Sequence, residues 1–75
     1  MARTSSLEIV SELVANVLTV EVAEGDRVEV GDTVVLLESM KMEIPVLAER
    51  GGTVTAIKVT AGDVVQDGDV LVVLD

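Results

Sequence analysis

The chain has 75 residues, enough for one small domain, and its 14 acidic and 5 basic residues give a formal net charge of −9. Nucleic-acid binding requires clustered lysine and arginine, and stacking on bases requires aromatic side chains, which are absent from this chain. The chain also lacks cysteine and histidine, which excludes disulfides, thiol nucleophiles and the usual neutral-pH acid–base group. We therefore expect no nucleic-acid partner, no metal site and no catalytic residue, and a fold that depends on packed aliphatic side chains.

The N-terminal residues 1–6 contain no apolar segment suited to a signal peptide, and we expect them to form a flexible tail. No apolar run later in the chain approaches the ~18 residues of a membrane span. These features predict a single domain over residues 1–75, located in the cytoplasm and without a membrane partner.

The rest of the chain consists of two halves that match each other at a shift of 37 positions. Residues 7–38 align with residues 44–75, and 10 of the 32 aligned pairs are identical. The identities include two Gly-Asp pairs in each half: Gly25-Asp26 with Gly62-Asp63, and Gly31-Asp32 with Gly68-Asp69. Glycine supplies positive φ and aspartate bonds to nearby backbone, so these pairs mark turns. Their agreement in register predicts a duplicated structure.

Strand patterns occur at equivalent places in the two halves. Residues 17–22 and 54–59 alternate apolar and polar side chains, which is typical of a strand with one buried face. Residues 33–38 and 70–75 are almost wholly apolar, which indicates strands inside a barrel or sandwich. Pro45 lacks a ladder donor and therefore belongs at an edge or a strand start. The sequence predicts an all-β fold of about eight strands, four per half, with two-fold symmetry and no α-helix.

A single lysine stands at the centre of the link between the halves, residues 39–43. Strands joined by so short a link form a hairpin whose tip protrudes. Lys41 lies between Met40 and Met42, and the link has no glycine, asparagine or aspartate to favour a turn. An ordinary surface lysine is the simpler alternative, but exposed methionines are typical of adaptable recognition surfaces. By the two-fold relation, the termini should lie close together, at the opposite end from Lys41.

Residues 38–46, Glu-Ser-Met-Lys-Met-Glu-Ile-Pro-Val, resemble the attachment motif of the biotinyl (biotin carboxyl carrier) domain family, whose core is Met-Lys-Met. The resemblance extends over residues 7–75 and is strongest to small single-domain biotin/lipoyl attachment proteins. It implies a flattened eight-stranded β-barrel-sandwich with the lysine on a hairpin tip. Ser39 stands where many members have alanine, and the equal halves leave no room for the thumb loop of some bacterial carriers.

The resemblance also implies a function and a set of site residues. Lys41 would be the residue to which a biotin protein ligase attaches biotin, and the ligase would recognise Met40, Met42, Glu38 and Glu43. In this family biotin carries CO2 from a biotin carboxylase to a carboxyltransferase, and the carrier itself catalyses nothing. We accordingly expect a non-catalytic carrier that is monomeric in isolation.

Two other functions are compatible with the same fold. Lipoyl carriers form the sister branch and typically show Asp-Lys-Ala at the tip, so Met-Lys-Met favours biotin, although modification by both groups remains an alternative. An unmodified structural or interaction module is the second alternative, and such modules usually lack the lysine hairpin. The intact mass separates all three, because biotin and lipoate add different masses.

Overall fold

The structure, a computed structural model of the chain, describes residues 6–75 and consists of eight strands in this range. The tail predicted at residues 1–6 lies outside the described residues, apart from the exposed Ser6. Within the described range, no helix is long and apolar enough to cross a membrane. The strands are β1 (Leu7–Val10), β2 (Ala15–Val20), β3 (Arg27–Val28), β4 (Thr33–Ser39), β5 (Met42–Leu47), β6 (Gly52–Ile57), β7 (Val64–Val65) and β8 (Val70–Leu74).

The strands form two four-stranded antiparallel sheets that are related by the sequence repeat. The order is β1-β8-β6-β3 in one sheet and β5-β4-β2-β7 in the other. Exchanging each strand for its equivalent in the other half converts one order into the other. Each sheet therefore contains two strands from each half, so the halves interlock instead of folding side by side. This arrangement confirms the predicted all-β fold of two quasi-symmetric halves.

The core lies between the sheets and is built from aliphatic side chains. The apolar runs predicted as buried strands are the inner strands β4 and β8, where Leu37 and Leu74 occupy symmetric positions and are fully buried. Burying such a side chain contributes about 1.5–3 kcal/mol. Pro45 lies in the edge strand β5, where its missing N–H costs no ladder bond, as predicted.

Four turns of one design connect the strands, and each contains one of the repeated Gly-Asp pairs. In the first, the N–H of Asp26 donates to the Ala23 carbonyl at 3.0 Å, and the Asp26 carboxylate accepts the Ala23 N–H at 2.9 Å. Gly25 has φ of 92°, which side chains disfavour. The same reciprocal bonds close the other three turns, at Asp32, Asp63 and Asp69. The Gly-Asp pairs thus form turns as the sequence predicts.

The turn glycines also connect the two halves. The N–H of Gly25 donates to the carbonyl oxygen of Val54 at 2.8 Å, and that of Gly62 donates to the carbonyl oxygen of Val17 at 2.8 Å. These two bonds exchange under the shift of 37 positions, so the two-fold relation extends to individual hydrogen bonds.

The β4–β5 hairpin and the ends of the described chain lie at opposite ends of the molecule. β2 starts beside the hairpin, since Asn16 pairs with Glu38. The chain then runs along the sheet to Gly25, which donates to Val54. Val54 is paired with Leu74 at the end of β8, and Leu74 also pairs with the first residue of β1. The fold therefore holds the lysine hairpin away from both ends of the described part of the chain.

Candidate functional site at the lysine hairpin

The tip of the β4–β5 hairpin consists of Met40 and Lys41 alone. The ladder between the two strands continues as far as the pair Ser39 and Met42. The five-residue link expected at positions 39–43 is thus shorter in the structure, because its outer residues extend the strands. Cross-strand pairing here satisfies backbone groups that a longer loop would leave to solvent.

Both tip residues adopt the left-handed backbone region, with φ of 55° at Met40 and 66° at Lys41. Positive φ at both central residues is the geometry of type I′ hairpins, which strongly prefer Asn-Gly and similar pairs. For residues with a Cβ this conformation costs about 1–2 kcal/mol each. The six residue pairs of the β4–β5 ladder hold the tip in this conformation. Such strain is typical of functional sites.

The side chains at the tip are unusually exposed for their types. Met40 is 91% exposed and Met42 is 61% exposed, and Lys41 is exposed as well. Methionine normally gains by burial, and neither of these side chains contributes to the core. The hairpin therefore presents a primary amine between two apolar, flexible side chains, all accessible to another protein.

Glu38 and Glu43 face each other directly across the hairpin, one residue pair behind Ser39 and Met42. Like charges in directly opposite positions of an antiparallel pair are destabilising. Glu38 is half-buried and Glu43 is exposed. The structure thus brings together all five residues that the sequence singled out, with the two carboxylates at the base of the tip.

The carboxylates belong to a row of side chains that crosses the outer face of the sheet. Glu43 pairs with Glu38, Glu38 with Asn16, and Asn16 with Val64 of β7. Directly paired residues project from the same face of a sheet, so the four side chains form a continuous strip. We call this strip the outer row. The sequence analysis did not single out Asn16 and Val64. The repeat did contain a signal for Val64, because this apolar residue aligns with the charged Arg27 of the other half.

Comparison with known proteins identifies the family to which the chain belongs. Residues 8–74, nearly the whole chain, match the biotin/lipoyl family model described as "Biotin-requiring enzyme". The chain belongs to the biotin/lipoyl family. Members of this family are generally non-catalytic attachment domains.

Two relatives of this biotin/lipoyl domain have names that refer to biotin. Biotinylated protein TB7.3 of Mycobacterium tuberculosis is 66% identical over 41 residues, which are 55% of this chain and 58% of the relative. The matched region therefore spans little more than half of each protein. The biotin-dependent acyl-coenzyme A carboxylase alpha3 subunit of Mycobacterium leprae is 47% identical over 51 residues, which are 68% of this chain but 8% of that subunit.

Solved structures show the same architecture, once within a much longer chain and once as an isolated domain. The urea carboxylase of Kluyveromyces lactis matches all of this chain with a TM-score of 0.90 and 33% identity, over 7% of its own length. The lipoyl domain of the 2-oxoglutarate dehydrogenase complex from Azotobacter vinelandii matches 83% of this chain and 78% of its own, with a TM-score of 0.71 and 31% identity. The biotin/lipoyl fold predicted from the sequence is thus confirmed.

Proposed function

We propose that the protein is a biotin carboxyl carrier in which the Nζ of Lys41 forms an amide with biotin. The observation that carries this proposal is the strained two-residue tip, which exposes Lys41 between two exposed methionines. A family model described as biotin-requiring and a relative named as a biotinylated protein support the same assignment. An exposed primary amine on a rigid protrusion fits the carboxylic acid of biotin chemically.

The tip residues have distinct roles in attachment. A biotin protein ligase activates the carboxyl group of biotin as an acyl adenylate; Nζ of Lys41 then attacks the carbonyl carbon, AMP leaves, and the proton released from Nζ passes to a base of the ligase. The hairpin positions Nζ for that attack, because the ladder behind it fixes the backbone of the tip. Met40 and Met42 offer flexible apolar surface that the ligase can pack against. Glu38 and Glu43 attract a basic surface on the ligase.

The attached biotin supplies a ring nitrogen that accepts a carboxyl group and then releases it. The partners of the carrier are, on this proposal, a biotin carboxylase and a carboxyltransferase. Relatives and structural neighbours named as carboxylases support these partners. A small rigid body with a long arm keeps the carried group at high effective concentration at each enzyme in turn. The acidic surface, with a net charge of −9, opposes self-association and suits a monomeric carrier in the cytoplasm.

Lipoylation of Lys41 is the second candidate, because the structure also resembles a lipoyl domain. The residues on either side of the lysine favour biotin, since Met-Lys-Met resembles the biotin branch and Asp-Lys-Ala the lipoyl branch.

The test first attaches biotin or lipoate to the protein and then measures whether the attached group accepts a carboxyl group from bicarbonate. Purified protein is incubated in parallel with a biotin ligase and a lipoate ligase, and the products are supplied with a biotin carboxylase, ATP and labelled bicarbonate. We expect label only on the biotinylated protein and not on Lys41→Arg. Efficient lipoylation without biotinylation would favour the second candidate instead.

A further inference from the structure

The two ends of this molecule share a backbone arrangement but differ in their side chains. The outer row has an equivalent at the end opposite Lys41. By the shift of 37 positions, Glu38 corresponds to Asp75, Asn16 to Thr53 and Val64 to Arg27. Thr53 pairs with Arg27 there and exchanges two backbone hydrogen bonds with Asp75, so the local geometry repeats. The backbone pairing of the two rows is therefore the same, whereas their side chains differ in charge and polarity.

Two exposed valines at the lysine end have no apolar counterpart at the equivalent positions of the other half. Val64 is 62% exposed and Val14, which directly precedes the first paired residues of β2, is 56% exposed. Their equivalents are Arg27 and Gly51. Arg27 is largely exposed and lies 3.9 Å from the carboxylate of Glu29, as expected of a solvated surface. Val14 and Val64 adjoin the acidic part of the outer row, and an exposed apolar area bordered by charged residues is typical of an interaction site.

We propose that the outer row, together with Val14, is the docking surface for the enzyme that attaches biotin to Lys41. This inference rests on the proposed function and extends the recognition site from the hairpin onto strands β2 and β7. The surface of the enzyme that fits it is basic where it meets Glu38 and Glu43, and apolar where it meets Val14 and Val64.

The length of the unmodified lysine side chain favours the ligase over the other partners of a carrier as the protein that covers this surface. An extended lysine side chain places Nζ about 6 Å from its own Cα. The pair Glu38 and Glu43 lies two residue levels behind the tip, which is about 7 Å along the strands. An active site that encloses Nζ must therefore bring its walls close to the outer row. Once biotin is attached, its acyl chain lengthens the arm, and enzymes that act on the ring need no such close approach.

The negative charge of the outer row also favours the ligase as its partner. Glu38 and Glu43 repel each other across the ladder, and a basic surface that approaches both removes this repulsion. No basic side chain belongs to the outer row itself. The equivalent row at the other end contains one acidic residue and one basic residue, Asp75 and Arg27, so it offers a partner no comparable attraction.

The test makes the same substitution at an exposed valine inside the proposed docking surface and at an exposed valine outside it. Val64→Arg gives the outer row the residue found at the equivalent position. Val30→Arg is the control, because Val30 is similarly exposed, at 68%, and lies in a turn whose Gly31 N–H bonds to Ala48, beyond the far end of β5. Val14→Arg is a second variant within the proposed surface. Steady-state biotinylation by a biotin ligase is followed by intact mass, and thermal unfolding is recorded for each protein.

We expect Val64→Arg and Val14→Arg to reduce kcat/KM for biotinylation about tenfold, mainly through KM, while Val30→Arg behaves as the wild type. If wild type is modified on Lys41 and all three variants react at the same rate, the docking surface is overturned and the proposed function stands. If wild type is not modified at all, the proposed function fails, and this inference with it.

Discussion

Replacing the hairpin tip by Asn-Gly should stabilise the domain while it removes the lysine. Met40 and Lys41 have φ of 55° and 66°. For residues with a Cβ this region costs about 1–2 kcal/mol each, which Met40→Asn with Lys41→Gly largely relieves. The glycine at position 41 lowers the free energy of unfolding by about 0.5–1 kcal/mol, because glycine has more conformational freedom in the unfolded chain. The net gain should be about 1–2 kcal/mol, or an increase in melting temperature of about 5–10 °C for a domain of this size.

Urea unfolding of the double variant and of wild type measures this gain directly. The midpoint should increase without a change in the slope, since the folded core is untouched. Ala61→Gly provides a matched control, because Ala61 is an exposed turn residue that is not among the positive-φ positions. Glycine there should lower the free energy of unfolding by about 0.5–1 kcal/mol. A double variant that is no more stable than wild type would refute the strain assigned to the tip.

Four further variants test recognition at the hairpin and close packing in the fold. Met40→Ala and Met42→Ala should each slow biotinylation and change the free energy of unfolding by less than ~0.5 kcal/mol; a loss of ~2 kcal/mol would place that methionine in the core. Met40→Asp with Met42→Ala should shift acceptance from a biotin ligase toward a lipoate ligase in a competition read by intact mass, because a ligase that buries Met40 would have to desolvate a carboxylate. Equal biotinylation of variant and wild type, without added lipoylation, would show that recognition lies elsewhere. Gly52→Ala should lower the free energy of unfolding by about 1–3 kcal/mol, because the new Cβ would lie 2.8 Å from the backbone oxygen of Asp75; an unchanged melting temperature would contradict this close approach.

The sequence contained enough information to predict the strands and turns. Alternation of apolar and polar side chains has a physical period of two in a strand, so the patterns at residues 17–22 and 54–59 indicated strands locally. The strands β2 and β6 lie two residues earlier than these patterns, at Ala15–Val20 and Gly52–Ile57, because pairing with β4 and β8 sets their ends. The Gly-Asp pairs encode their turns through positive φ and a carboxylate that bonds to backbone three residues earlier. The repeat then doubled each observation and predicted the quasi-symmetry. These features depend on neighbours in sequence, which is why they could be predicted.

The exact tip and the partners of each strand depended on contacts between distant residues. Met40 and Lys41 have no intrinsic preference for left-handed backbone, and the ladder between β4 and β5 imposes it. Similarly, no local pattern indicates that Asn16 lies between Glu38 and Val64, because that depends on which strands become neighbours in the sheet. The outer row is therefore visible only in the folded structure.

The covalent state of Lys41 after exposure to a biotin ligase tests the central claim most directly. The protein is co-expressed with the ligase, and its intact mass and peptide map are recorded beside those of Lys41→Arg and Lys58→Arg. Lys58 is the natural control, because it is the other lysine in the chain and is also exposed. The account predicts one added biotin on Lys41, absent from Lys41→Arg and retained by Lys58→Arg. Biotin on Lys58, or none on wild type, would contradict it.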